Sequence, residues 1–361
     1  MNSDVVFEIL LLLPVQSLLK LLGVSRVWYD IIDSPQFRNL HTLLHKNKRD
    51  EEVYLRFNFG LGYSIVSRKL SINLLDNGMS LPSHNFRLPM DLSVVSGAVK
   101  GLVCLSSPRM FYIAICNPFL GHFKILPLSP FSSTLSCFYH YNVGLGFDED
   151  YKVVQVVQHR KYGWLHASLY SAKTNSWRKL DIDQDMVIEK PIKSVCKNGS
   201  FAHWKGLTRA RDKEIILSFD MKNEVFRTFT ISQTGDQVLD KYSVQSFKVL
   251  AILAKEDCSF VILVLESWVL KVYESSGEGS EVVWNNVNDL QLYSFGMSNV
   301  RSSDEIPVWR NDDCVALKGC ELREVILYDY RARKLIGRFK LPESSCLDDY
   351  IIECEGSFIS P

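Results

Sequence analysis

A twelve-residue pattern recurs through most of this chain and constrains its fold more than any other feature. Each copy has an apolar residue, a second apolar residue or cysteine, a polar residue, four to six turn-forming residues, then a bulky residue usually followed by a basic one. The close copies occupy 115–126, 169–180, 218–229 and 327–338, and a looser copy occupies 272–286. Each copy predicts two short antiparallel strands joined by a polar turn.

The spacing of the copies predicts a ring of repeated β units. The bulky residues are separated by 54, 49, 58 and 51 residues, and they are Phe123, Trp177, Phe226, Trp284 and Leu335. A period near 50 residues is that of kelch-type β-propeller blades, in which the bulky residue would pack one blade against the next. With an earlier blade from 54–75, we expect an all-β domain that is a β-propeller of about six kelch-like blades. Such a ring must close, so 350–354 should pair into the first blade. A stack of two ordinary β domains stays open as the alternative.

The first forty-odd residues have helical spacing instead. Apolar residues share one face of a first predicted helix, namely Val5, Val6, Ile9, Leu10 and Leu13. Pro14 should end that helix and open a second, and Ser34 followed by Pro35 should begin the last one. A unit this short cannot bury so much apolar surface by itself, so it should pack on another chain or on the rest of its own chain.

Two other interpretations of these helices remain. One is an ordinary buried helical hairpin. The other is a DNA-binding helix-turn-helix, but its recognition helix would need polar and basic side chains facing the groove. The candidate segment offers only one basic residue before an aromatic and apolar run, in the order Arg26, Trp28, Tyr29, Asp30, Ile31 and Ile32.

Composition narrows the range of partners and locations. Lys plus Arg and Asp plus Glu are both 41, so the net charge of zero argues against nucleic acid or an anionic membrane as the main partner. The nine cysteines are scattered without a C-x-x-C pair, which predicts free thiols in a reducing compartment rather than a disulfide framework or zinc site. No apolar run approaches the roughly 20 residues of a membrane span. We therefore expect a cytoplasmic and/or nuclear protein.

The sequence contains no convincing catalytic motif. His41 and His45 are four residues apart on a predicted helix, but no H-E-x-x-H motif accompanies them. Gly144 and Gly146 form a lone G-x-G that predicts a close strand approach rather than a phosphate loop. The acidic run 148–150 is typical of a solvated turn. We expect no catalytic residue, no metal and no cofactor.

Both halves of the chain resemble plant F-box proteins that carry an F-box-associated, kelch-like domain, including the S-locus type. In the helical half the resemblance lies in the ordered motifs D-V-V-x-E-I-L at 4–10, L-P-V-x-S-L-L at 13–19, V-S-x-x-W at 24–28 and I-D-S-P-x-F at 32–37. In the β half it lies in 101–105, 116–127, 144–157, 169–180, 195–206 and 215–229. The resemblance implies a small all-α F-box of three to four helices at 1–46 and a propeller at 50–361.

The resemblance implies a non-catalytic receptor in an SCF-type cullin ubiquitin ligase. The F-box would bind a Skp-type adaptor, and through it the cullin, with a contact set or its immediate support formed by Leu13, Pro14, Leu18, Leu19, Val24 and Trp28. The propeller would bind an unknown target protein through exposed loops, where aromatic and arginine side chains are the usual anchors. The candidates are Tyr139, Tyr162, Trp164, Arg209, Arg211 and Trp309. Two alternatives remain: a stand-alone binding or enzymatic propeller, and an F-box scaffold outside a ligase.

Overall fold

The computed structural model describes most of the helical segment and the majority of the β segment. The described residues are 3–45, 52–61, 67–74, 86–89, 93–94, 98–107, 112–132, 138–159, 161–192, 199–211, 213–231, 248–255, 259–266, 269–276, 281–292, 313–318, 324–340, 350–355 and 357–361. Four helices come first, and they are α1 Ser3–Leu11, α2 Val15–Leu21, α3 Arg26–Asp33 and α4 Pro35–His45. None of the helices in these ranges is long and apolar enough to cross a membrane.

Local capping residues set the helix boundaries. Pro14 lies between α1 and α2 with φ −65° and ψ 153°, so it ends one helix and precedes the next, as predicted. Ser25 begins α3 by accepting a hydrogen bond from the Trp28 backbone N–H at 3.2 Å. Ser34 does the same for α4 through the backbone N–H of Phe37, also at 3.2 Å, which confirms the start predicted there.

Twenty-three strands follow the helices in the described ranges. They are β1 Glu52–Leu61, β2 Ser67–Leu74, β3 Phe86–Pro89, β4 Ser93–Val94, β5 Val103–Ser106, β6 Ile113–Asn117, β7 His122–Ile125, β8 Phe138–Phe147, β9 Tyr151–His159, β10 Leu165–Ser171, β11 Ser176–Leu180, β12 Met186–Pro191, β13 Phe201–Thr208, β14 Glu214–Asp220, β15 Val225–Ile231, β16 Lys248–Ala254, β17 Phe260–Glu266, β18 Val269–Ser276, β19 Glu281–Gln291, β20 Cys314–Lys318, β21 Glu324–Asp329, β22 Lys334–Lys340 and β23 Tyr350–Glu355. All of them pair antiparallel with a neighbour close in sequence, except at the two junctions described next.

The strands form six blades of a β-propeller. Blade 1 has the order β23-β1-β2-β3, and blades 2 to 5 are the successive runs β4–β7, β8–β11, β12–β15 and β16–β19. Blade 6 is β20-β21-β22 in the described ranges, and two parallel pairs between β15 and β19 join blades 4 and 5 at their outer strands. β23 pairs with β1 over Glu52↔Glu355 to Phe57↔Tyr350, so the last strand completes the first blade, as predicted.

The bulky residues of the repeat lie on the last strand of their blades, and four of the five are buried or half-buried. Phe123, Trp177, Phe226 and Trp284 pack in the clusters between blades or beneath the helices. The prediction is wrong for Leu335, which is exposed. The pairing of β21 with β22 shifts register between Leu327 and Tyr328, opposite Leu335, and such a bulge changes which side chains face the core.

Close approach between strands explains the G-x-G of β8. A Cβ atom on Gly144 would lie 2.5 Å from the Cβ of Ala202 and 2.9 Å from Cζ2 of Trp204. A Cβ atom on Gly146 would lie 2.4 Å from Cε of Met221. The interpretation of these glycines as a strand approach is therefore confirmed.

The propeller has two faces, because alternate turns of an antiparallel blade lie at opposite ends of its strands. The turns 98–102, 118–121 and 148–150 share one end, where the Lys100 ammonium lies 4.0 Å from the Phe147 ring centroid. The helices pack at this end, against Ala98, Phe119 and Leu120, so we name it the helix-side face. The turns 161–164, 181–185 and 209–211 lie at the other end, which we name the far face.

Candidate functional site

Helix α1 has two apolar faces, and only one is covered. Val6 and Leu10 are buried in a cluster that also contains Leu18, Ile32 and Phe37. On the other side of the same helix and of the turn that follows it, Val5 is 49% exposed, Ile9 49% and Leu12 67%. Residues spaced by four and three positions share one helical face, so these three form a stripe along α1.

Exposed apolar side chains continue on α3 and α4 and on the turn before α3. Together with the α1 stripe they make up what we call the helical apolar surface, namely Val5, Ile9, Leu12, Val24, Val27, Tyr29, Leu40 and Leu44. Scattered single apolar residues are ordinary on a protein surface, but eight within such a short segment indicate a partner interface.

The predicted adaptor contacts divide between this surface and the core. Val24 is exposed and belongs to the helical apolar surface. Four of the others are half-buried, namely Leu13, Pro14, Leu19 and Trp28. Leu18 has no exposed surface, so it contributes only by supporting the helices around it. His41 is structural, because its Nε2 donates to the carbonyl oxygen of Leu13 at 2.8 Å.

Sequence reasoning missed the outward stripe of α1. It placed Val5 and Ile9 on the same face as Val6 and Leu10, whereas the structure exposes the first pair and buries the second. Leu11 and Leu12 make this helix apolar on nearly every side, so spacing alone does not choose the buried face. The available signal was the excess of apolar residues itself.

On the far face, two predicted target contacts come together as an aromatic stack. Tyr162 and Trp164 are both about half exposed, and their ring centroids are 4.7 Å apart with an interplanar angle of 22°. The His159 ring lies 4.9 Å from that of Tyr162, and the Lys161 ammonium lies 5.2 Å from the same ring. Stacking holds these side chains in place, so they can meet a partner at little cost in conformational entropy.

A groove of about 440 Å³ lies beside Trp164. Its lining includes Phe131, Trp164, His166, Lys179, Asp181 and Gln184. Burial, with the nearby charges of His159 and Lys179, lowers the pKa of His166 below its usual value, so the imidazole is neutral near pH 7. No sequence pattern indicates this groove, because its walls come from three separate segments.

Gln184 shapes the edge of this groove. Its side-chain amide accepts a hydrogen bond from the Leu165 backbone N–H at 2.8 Å and donates one to the Leu165 carbonyl at 3.0 Å. The Gln184 amide therefore supplies hydrogen-bond partners for the backbone of Leu165, at the part of β10 that does not pair with β11. This fixes the position of the residue that follows Trp164.

The predicted arginines have different roles. Arg209 donates from Nη1 to the carbonyl of Gln184 at 3.1 Å, and its backbone N–H donates to the carbonyl of Asp185. It therefore ties two far-face turns together while remaining exposed. Arg211 occupies a turn position with φ +58° and is also exposed. The side chain of Tyr139 and the whole of Trp309 lie outside the described residues.

The acidic turn of blade 3 is occupied by ion pairs. Lys152 donates to Asp148 at 3.2 Å and to Glu224 at 3.0 Å, while Lys173 pairs with Glu149. Within the described ranges, no three His, Cys, Asp or Glu side chains are grouped to hold a metal ion. The arrangement offers two surfaces for binding other molecules, one on the helices and one on the far face.

The chain is similar to F-box proteins of Arabidopsis thaliana. F-box protein At2g21930 is 26% identical over 253 residues, which cover 64% of this chain and 61% of the relative, less than two thirds of its length. Putative F-box/kelch-repeat protein At1g13200 is 21% identical, over 92% of this chain and 82% of the relative.

Among solved structures, TolB from Acinetobacter baumannii has a TM-score of 0.48 at 12% identity, over 91% of this chain and 73% of TolB. A chain of the nidogen/laminin complex has a TM-score of 0.47 at 10% identity, over 85% of this chain and 99% of that one. Likenesses of this size bear on neither function nor detailed geometry.

Two sequence families match the chain directly. The F-box domain matches residues 1–40, and the F-box associated beta propeller domain matches residues 50–322. The second match covers well over half of the 361 residues. The chain therefore belongs to the F-box associated β-propeller family and carries an F-box ahead of its propeller.

Proposed function

We propose that this protein is the substrate-recognition subunit of an SCF-type cullin ubiquitin ligase. The F-box helices bind a Skp-type adaptor, and the propeller binds a target protein. The observation that carries the proposal is the outward stripe of Val5, Ile9 and Leu12, on a helix whose other face is already buried. Exposed apolar area costs roughly 25 cal/mol of free energy per Å² in water. A partner that covers this area removes the cost, which favours formation of the complex.

The mechanism is proximity. No side chain of this protein takes part in bond making, and a separate enzyme of the ligase delivers ubiquitin to a lysine of the target. Tethering the target raises its effective concentration near that enzyme and restricts its orientation. We accordingly assign the protein a non-catalytic role in the cytoplasm or nucleus, the location that its scattered, unpatterned cysteines favour.

The far face is the proposed target side. The aromatic stack of Tyr162 and Trp164 lies there, at the opposite end of the blades from the helices. Tyrosine, tryptophan and arginine are the residue types that most often dominate binding energy. A target held on the far face would leave the helical apolar surface open to the adaptor.

Adaptor binding is tested by calorimetry with full-length protein and a purified Skp-type adaptor. Leu12→Asp places a charge on the outward stripe, so we expect affinity to fall at least 100-fold. The matched control is Val283→Asp, which charges a similarly exposed apolar residue on β19 and should leave the affinity unchanged. Equal affinities for the wild type and Leu12→Asp would show that the stripe is not the adaptor site.

Target binding is tested by quantitative proximity labelling with three forms of the protein. A target should be labelled by the wild type and by Leu12→Asp, but not by Trp164→Ala. An adaptor or cullin should be labelled by the wild type and by Trp164→Ala, but not by Leu12→Asp. A labelled set that responds to neither change would contradict the division of work between the two surfaces.

A further inference from the structure

The last five residues, 357–361, lie between the F-box helices and the propeller. Phe358 is 5% exposed and belongs to the same cluster as Leu10, Leu18 and Phe37 of the helices. Its ring centroid is 5.5 Å from that of His41 in edge-to-face geometry, and the Arg38 guanidinium lies 5.6 Å from its centre. A side chain from the far end of the sequence therefore completes the core of the helical unit.

Asn117, at the end of β6, holds the backbone of this tail. Its amide Nδ2 donates to the carbonyl of Ser357 at 2.9 Å and to the carbonyl of Ile359 at 2.8 Å. Its Oδ1 accepts from the backbone N–H groups of Phe119 and Leu120. Asn117 has no exposed surface, so the amide uses both donors and its acceptor inside the protein.

The tail presents alternate side chains to different neighbours. Phe358 packs with the helices, whereas Ile359 packs with the cluster between blades 2 and 3. At the next residue, Oγ of Ser360 lies 2.9 Å from Nδ1 of His122 on β7. The tail is thus anchored to the propeller on one side and inserted into the helical core on the other.

This arrangement adds a contact that ties helix α4 to the propeller. The helices already pack against propeller residues such as Ala98, Phe119 and Leu120. Phe358 lies in the same cluster and contacts His41 of α4, while Asn117 of β6 holds the backbone on either side of it. Because the tail is hydrogen-bonded to β6, its contact with α4 restrains rotation of the helices against the propeller.

We propose that Asn117 and Phe358 are positioning residues that fix the direction of the far face relative to the F-box helices. If the protein acts in a ligase, a step that rests on the proposed function, the contact between tail and helices would hold a target lysine in a defined place. Proximity catalysis is sensitive to such placement, because displacements of about 1 Å can cost rates on the order of 100-fold. The target site and the adaptor site themselves need not change.

The test measures the distance distribution between two fluorophores in the full-length protein, introduced as non-natural amino acids at Gln36 and Lys213. Both positions are exposed, one on α4 and one at the far face. With Phe358→Ala or Asn117→Ala the distribution should become at least twice as wide as in the wild type. Phe358→Leu keeps an apolar side chain in the pocket and should restore a distribution close to that of the wild type.

The outcomes separate positioning from simple stability. Ile359→Ala is the matched control, since it removes apolar area from the same tail but keeps the hydrogen bonds from Asn117 to the tail backbone and the contact of Phe358 with the helices, so it should lower stability without widening the distribution. If Phe358→Ala gives no folded protein, Phe358→Val replaces it with a smaller loss of volume. A folded Phe358 or Asn117 variant with a wild-type distribution overturns the proposal. The measurement needs no adaptor, so its result is independent of whether the ligase assignment holds.

Discussion

The F-box helices and the propeller differ in how completely they cover their apolar residues. Eight large apolar side chains are exposed within residues 3–45, and the same number is spread over the whole described part of the β segment. On the propeller five of these lie on the last strands of four different blades, such as Val225 on β15 and Val283 on β19, and the other three lie in turns and loops. On the helices they repeat at helical spacing.

The difference follows from size and closure. A ring of blades covers each sheet with the next one, and β23 closes the ring by pairing with β1. Four short helices have too little volume to cover all of their apolar surface. Part of it is covered by the propeller and by Phe358, and the rest faces solvent. The uncovered part is therefore the feature to test for partner binding.

The largest expected effect separates the two faces of α1. Leu10→Ala removes a side chain that is 2% exposed, so the free energy of unfolding should fall by about 2–5 kcal/mol. Leu12→Ala removes one that is mostly exposed and should change it by less than about 0.5 kcal/mol. Denaturant unfolding followed by circular dichroism at 222 nm, where the helices contribute most, measures both. Equal losses would mean that α1 has no free face and that the helices cover their apolar residues as completely as the propeller does.

A pH titration should show how completely the propeller core excludes water from a buried histidine. His203 on β13 is buried beside Phe260, with ring centroids 5.1 Å apart, and burial lowers its pKa from 6.5 to about 3. Below pH 6.5 the unfolded chain takes up a proton that the folded one does not. The contribution of His203 to the free energy of unfolding is therefore present above pH 6.5 and is lost as the pH drops. The loss should be about 2 kcal/mol between pH 7 and pH 5.

The measurement compares the pH dependence of unfolding in the wild type and in His203→Gln, which does not titrate. The variant should have a slope shallower by up to roughly 1.4 kcal/mol per pH unit in this range. Parallel curves would indicate that the space between blades 4 and 5 admits enough water to protonate the imidazole.

Local patterns predicted much of this fold. The start of α4 at Ser34 and Pro35, the blade period and the pairing of 350–354 with the first blade all depend on residues close in sequence or on a regular repeat. The bulky residues were placed on the correct strands, and the one failure, Leu335, lies opposite a bulge. A bulge alters register without leaving a mark in the apolar pattern.

Contacts between distant segments escaped prediction. The bonds from Asn117 to the tail join residues 240 and 242 positions apart, and no local spacing encodes such a pair. The only signal was Asn117 itself, a polar residue at the end of the buried strand β6, and the repeat pattern already accounted for it as the start of a turn. The choice between the faces of α1 also depended on what packs against that helix, which a single sequence does not show.

The smallest expected effects come from two glycines, one in each half of the protein. Alanine at Gly146 would place its Cβ 2.4 Å from Cε of the buried Met221 and 2.7 Å from the carbonyl oxygen of Gly199, so we expect a loss of about 1–3 kcal/mol. Alanine at Gly23, between α2 and α3, meets nothing within 4 Å and has no positive φ to accommodate. There the restricted unfolded chain should raise stability by about 0.4–1 kcal/mol. Thermal unfolding of both variants tests this expectation. The Tm should fall for Gly146→Ala if blade 3 is packed tightly, and it should rise for Gly23→Ala if the helical turn is open. Shifts of the same sign would place the two regions under the same packing constraint.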